Sequence, residues 1–86
     1  MELSSIPRLA AGCRVHATQD VLLIPEGTLN LTGSAREILL RMDGKKSVGV
    51  VVAELLQEYE GVSAQEMEGD VLGLLRRMEE RGVVRA

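Results

Sequence analysis

The spacing of apolar and polar positions changes once along this chain, near residue 32, from a period of two to a period of three to four. Before that point Cys13, Val15 and Ala17 alternate with Arg14 and His16, which predicts a short strand over about 13–17. Thr18 to Asp20 read as a turn. Val21-Leu22-Leu23-Ile24 is a continuous apolar run, β-branched at both ends, and predicts the most buried strand over about 21–25. Pro25-Glu26-Gly27 then reverses the chain, because Pro holds φ fixed and Gly tolerates a positive one. Thr28-Leu29-Asn30-Leu31 alternates again and predicts a third strand over about 28–31. The three form an antiparallel meander. Residues 1–12 read as an extended, turn-rich entry, with Pro7 biasing Ile6 away from helix and Gly12 as punctuation.

Beyond residue 32 the pattern is helical. Ser34 stands three residues before Glu37, the spacing of a capping box, and Ala35, Ile38, Leu39 and Met42 recur at helical intervals, so a first helix spans about 34–43 and stops at Asp43-Gly44. Ser47 caps a second helix over about 47–59, whose stripe is Val48, Val51, Val52, Leu55, Leu56 and Tyr59. Its valines are poor helix formers, so tertiary packing must support it. Ser63 and Glu66 open a third helix over about 64–81 with Met67, Val71, Leu74, Leu75 and Met78 on one face; Leu72 and Arg76 sit further round. Gly82 stops it, leaving a short Val83-Val84 tail. Three strands followed by three helices is an α+β order with a winged-helix-like arrangement, in one domain covering 1–86.

Composition narrows the chemistry. The chain has 86 residues, 45% of them hydrophobic, and Tyr59 is its one aromatic residue, so the core consists of Leu, Val, Ile, Met and Ala. A single cysteine excludes an internal disulfide, and Cys13 with His16 falls short of the four or so ligands of a structural zinc site. Met1 to Leu9 carries neither an apolar run nor a basic leader, and no stretch approaches a membrane span, so a cytoplasmic location and no membrane partner are expected. A net charge of -3 offers nucleic acid no attraction. Along the third helix, from Glu66 to Arg81, acids outnumber bases five to three, which argues against a DNA-reading helix-turn-helix. Base-stacking aromatics are missing too.

Catalytic candidates are thin. His16 lacks a convincing orienting carboxylate and nucleophile, and Cys13 reads more readily as a small hydrophobe than as an activated thiol. Glu66, Glu68 and Asp70 fit the acidic start of a helix better than a metal site. Gly44-Lys45-Lys46-Ser47 lacks the spacing of a phosphate loop. No catalytic residue, metal or cofactor is expected. What remains is the sheet's edge. If the outer side of the third strand faces the third helix across a groove, an extended peptide could add there as a fourth strand. The alternative is that the third helix or a loop covers that edge, and periodicity leaves the two open.

One ordered set of residues bears on this choice. Pro7-Arg8-Leu9-Ala10 with Gly12-Cys13-Arg14, Val21-Leu22-Leu23 with Pro25-Glu26-Gly27, Leu29-Asn30-Leu31, Ala35, Ile38-Leu39, Asp43-Gly44, the stretch Val51 to Tyr59, Asp70-Val71 and Gly82 together resemble the PqqD family over nearly the whole chain. The resemblance implies a peptide chaperone, not an enzyme, that binds the ribosomal precursor peptide PqqA antiparallel to the third strand. It presents PqqA to the radical S-adenosylmethionine enzyme PqqE in pyrroloquinoline quinone biosynthesis. It also implies the peptide-binding positions Thr28, Leu29, Asn30 and Leu31 on the strand, and Val71, Leu72, Leu75 and Arg76 on the helix. Related recognition domains for other ribosomal peptide products share much of this pattern and are the alternative, ahead of a winged-helix nucleic-acid binder. The stretch from His16 to Asp20 is shorter than the family's first hairpin, which leaves the first strand's register open and allows either a monomer or a weak or domain-swapped dimer.

Overall fold

In the computed structural model, which describes residues 1–86, the apolar run Val21–Ile24 (β3) forms the middle of a three-stranded antiparallel sheet between Arg14–Val15 (β2) and Gly27–Asn30 (β4). The architecture is α+β, with Ala35–Arg41 (α1), Val48–Glu58 (α2) and Ala64–Glu80 (α3) following the sheet. Val15 lies opposite Leu22, and Leu22 opposite Leu29, so one row of side chains crosses all three strands on the core face. Leu22 is completely buried there, and Val15 and Leu29 pack against the same cluster.

The short connection between β2 and β3 closes within the chain. His16 donates its N–H to the Val21 carbonyl, and its Nδ1 accepts the N–H groups of Thr18 and Gln19, both at 3.1 Å. Arg36 of α1 donates from Nη2 to the Ala17 carbonyl at 2.8 Å and sets its Nε 3.7 Å from Asp20. The imidazole thus serves as the turn's acceptor, and β2 keeps the register Arg14↔Leu23 with its own neighbour.

Two expectations about the ends need correction. The extended entry segment and the short C-terminal tail, for which the sequence predicts no strand, pair with each other: Arg8–Leu9 (β1) runs antiparallel to Val84–Arg85 (β5) in a separate two-stranded ribbon. The device that makes this possible is the end of α3. The Gly82 N–H bonds to the Glu79 carbonyl and the Val83 N–H to the Met78 carbonyl, both at 3.0 Å, with Gly82 at φ 77, which is the Schellman arrangement. It folds Val83 and Val84 back into the core, 5% and 1% exposed. Two-residue strands carry too little periodicity to be read from sequence. The second correction concerns Ser34, which begins α1 without accepting a side-chain capping bond; Ser47 and Ser63 do accept, from Val50 and Glu66.

The start of α2 is unusually well supplied with acceptors. Besides the Ser47 hydroxyl, the Ser5 and Leu3 carbonyls accept the N–H groups of Val48 and Gly49 at 2.9 Å each, so the first dozen residues also cap a helix. That support offsets the weak intrinsic propensity of its valines. Val48, Val51, Val52 and Leu55 of α2 and Met67, Val71, Leu74, Leu75 and Met78 of α3 form most of a single apolar cluster with the sheet's Leu22 and Leu31. Arg41 bridges α1 to α2 through Glu54, at 3.1 Å, and Glu58, and Lys46 reaches Glu54 at 3.1 Å. No helix is long and apolar enough to cross a membrane.

Candidate peptide-binding groove

The turn Pro25-Glu26-Gly27 delivers β4 to the outside of the sheet, where it has β3 on one side and no strand on the other. Hydrogen-bond alternation decides which backbone groups face outward. The Leu31 N–H bonds to the Asp20 carbonyl at 2.9 Å, and the register Val21↔Asn30, Leu22↔Leu29 continues that pairing. Bonded and non-bonded pairs alternate in an antiparallel ladder, so Leu29 and Leu31 face β3 with their backbone groups. Those of Thr28 and Asn30 point to the open edge. Both of these residues are exposed, whereas Leu31 is buried and Leu29 half-buried.

Alongside this edge runs a groove of about 440 Å³ between β4 with the start of α1 and one face of α3. Its floor is apolar: Leu31, Ala35, Ile38, Leu74 and Met78 each contribute the sliver of surface that the core leaves them. Its rim is polar, with Asn30, Thr32 and Ser34 on the strand side and Asp70, Arg77 and Arg81 on the helix side. Gly69 and Gly73, one turn apart on α3, complete the helix wall. A β-carbon at Gly69 would meet nothing within 4 Å, and one at Gly73 would meet only the Arg77 guanidinium at 3.6 Å.

The structure brings together the strand half of the expected site and shifts the helix half. Leu29, Asn30 and Leu31 line the groove, and Thr28 continues the same edge. Val71 and Leu75 do not line it: they are 0% and 1% exposed, inside the core. Leu72 packs half-buried against that core, and exposed Arg76 lies outside the lining. The face of α3 that meets the groove is turned by about one residue, to Gly69, Asp70, Gly73, Leu74, Arg77 and Arg81. A helix packed on both a sheet and another helix has two buried flanks, and the wheel alone does not say which flank borders an opening. The available signal was the pair Gly69 and Gly73, since two glycines four apart in a surface helix sacrifice roughly 2 kcal/mol of propensity without a local reason.

No group of three or more His, Cys, Asp or Glu side chains converges to hold a metal ion. The fold displaces the titration of groups at the α1–α2 junction. Glu54 is held below its usual range, first by the hydrogen bond from Lys46 and then by that from Arg41. Asp43 is lowered by the backbone N–H groups of Lys46 and Lys45, and Arg41 is raised, chiefly by Glu58.

The family model for coenzyme PQQ synthesis protein D (PqqD) matches residues 20–84. The chain belongs to the PqqD family. A "PqqA binding protein" of Pseudomonas aeruginosa is 39% identical over 77 residues, covering 85% of this chain and 82% of that protein. The bifunctional coenzyme PQQ synthesis protein C/D of Methylorubrum extorquens is 32% identical over 85 residues, which span 94% of this chain and 23% of the larger protein. Among solved structures, the solution structure of the PqqD truncation of Methylobacterium extorquens PqqCD superposes with a TM-score of 0.84 at 29% identity, covering 99% of this chain and 94% of that one. That truncation represents a functional, stand-alone recognition element for a ribosomally synthesised and post-translationally modified peptide. PqqD proteins are thus recognition elements and not enzymes.

Proposed function

We propose that this protein binds the precursor peptide PqqA as an added β-strand along β4 and presents it to the radical S-adenosylmethionine enzyme PqqE. The encounter would take place in the cytoplasm, where ribosomal peptides are released. The observation that carries the reading is the outward backbone of Thr28 and Asn30 beside an apolar-floored groove. Two residues offer two donors and two acceptors, each worth about 1 kcal/mol net in an aqueous setting. The ladder therefore sets register; because Leu31, Ile38, Leu74 and Met78 are more than nine-tenths buried, affinity draws on the polar rim of Asp70, Arg77 and Arg81 as well as on the apolar floor. Gly69 and Gly73 fit the same reading: bare helix backbone lets a guest strand lie closer to α3 than any side chain would. The names carried by the relatives support PqqA as the guest.

The test is calorimetric titration with the synthetic PqqA peptide of Pseudomonas aeruginosa, paired with amide hydrogen exchange. Binding should slow exchange at the Thr28 and Asn30 amides. Binding without that protection would exclude strand addition, and no binding would exclude PqqA as the guest.

A further inference from the structure

A second cavity, of about 470 Å³, lies past the Gly27 end of β4, and nothing in the peptide-binding reading accounts for it. Pro25 and Glu26 of the turn border it on one side, and Arg8, Arg81 and Arg85 on the other. Arg8 and Arg85 are directly opposite one another across the β1–β5 ribbon. Like charges in that relation are destabilising, and a chain of net charge -3 has acids to spare for relieving it. It does not use them. None of the three arginines forms an ion pair, although Glu26 borders the same cavity. Three arginines against one acid leave this concave site with an excess of positive charge, and Arg8 opposite Arg85 carries a cost in stability. Arg81 borders both this cavity and the groove, so the two lie on either side of one side chain.

We infer that this arginine pocket receives a carboxylate of the guest peptide, from the part that runs past Gly27 once the guest has paired with β4. The inference rests on the strand-addition reading for the guest's path. A carboxylate bound among Arg8, Arg81 and Arg85 accepts charge-assisted hydrogen bonds from several planar donors at once, which no neutral side chain can match. It also removes the cross-strand repulsion, so the free protein carries a penalty that binding relieves. The pocket then sets which residue of the guest lies over the groove, because it anchors one end of the strand.

The experiment uses Arg8→Gln and Arg85→Gln, two exposed positions outside the groove, with the same PqqA peptide. Three peptide forms are compared: unaltered, C-terminally amidated, and with each Asp or Glu singly replaced by Asn or Gln. Each arginine variant should weaken binding of the unaltered peptide about tenfold and flatten its salt dependence. One peptide form, amidated or with one acid replaced, should bind weakly and equally to the unaltered and variant proteins; which form it is separates a terminal from a side-chain carboxylate. The melting temperature of free Arg85→Gln should rise by about 1–5 °C. Unchanged affinity and salt dependence in both arginine variants, with the Asn30 amide still protected, would overturn the pocket and leave strand addition standing. Weakened binding in the variants without Asn30 protection in the unaltered protein would overturn strand addition and keep the pocket.

Discussion

Leu29 lies opposite Leu22 across β3 and β4, a bonded pair whose side chains meet on the core face, and this relationship turns the backbones of Thr28 and Asn30 outward. The same alternation that buries one residue exposes the hydrogen-bonding groups of the next. Core packing and edge chemistry in β4 are therefore one decision, and a slip of one residue would lose both.

Proline separates the two sets of backbone groups. Asn30→Pro removes an outward N–H and should abolish peptide binding by calorimetry while shifting the unfolding midpoint little. Leu31→Pro removes an N–H bonded to Asp20 together with a buried side chain, and should cost about 2–5 kcal/mol in denaturant unfolding. Equal destabilisation by the two variants would mean that the edge assignment is inverted.

The glycines of α3 should show a trade between stability and binding. Gly73→Ala meets only the tip of Arg77, so the helix should gain about 0.5–1 kcal/mol, while affinity for the peptide falls. Gly73→Leu fills the groove and should lower affinity at least about tenfold with the fold retained by circular dichroism. A Leu variant that binds normally would take the guest off this wall.

The C-terminal strand should prove structural. Removing residues 83–86 takes two buried valines and the whole partner of β1 out of the fold. At about 1.5–3 kcal/mol for each buried valine, the loss is a large share of a small domain's total stability. The truncated chain should unfold at markedly lower urea concentration.

Acid should weaken the α1–α2 junction. Glu54 and Asp43 both have folded-state pKa values below their ordinary 4.5 and 3.8, so their ionised forms are favoured in the native protein. Their contribution is complete above those ordinary values and is lost as pH falls through the lowered ones. Urea midpoints should hold steady down to about pH 5 and decline below it. Glu54→Gln should be less stable at neutral pH and show a shallower acid decline.

Much of this protein was decided by residue order alone. Leu22 in its four-residue apolar run, the valine stripe of α2 and the Met67-to-Met78 face of α3 are periodic over enough residues that only one side of each element can be buried. The alternation at Thr28 to Leu31 likewise set which side chains of the strand pack inward, whereas the register against β3 decided which backbone groups face the open edge. Tertiary structure decided the rest. The β1–β5 ribbon exists because the turn at Gly82 aims two buried valines back at the entry segment, and a two-residue strand has no period to read. The groove beside β4 meets α3 at Gly73, Leu74 and Arg77, not at the expected Val71, Leu72, Leu75 and Arg76, because a helix between two neighbours buries a broad arc. Where that arc ends depends on how the neighbours cross it, and no spacing within the helix itself carries that angle.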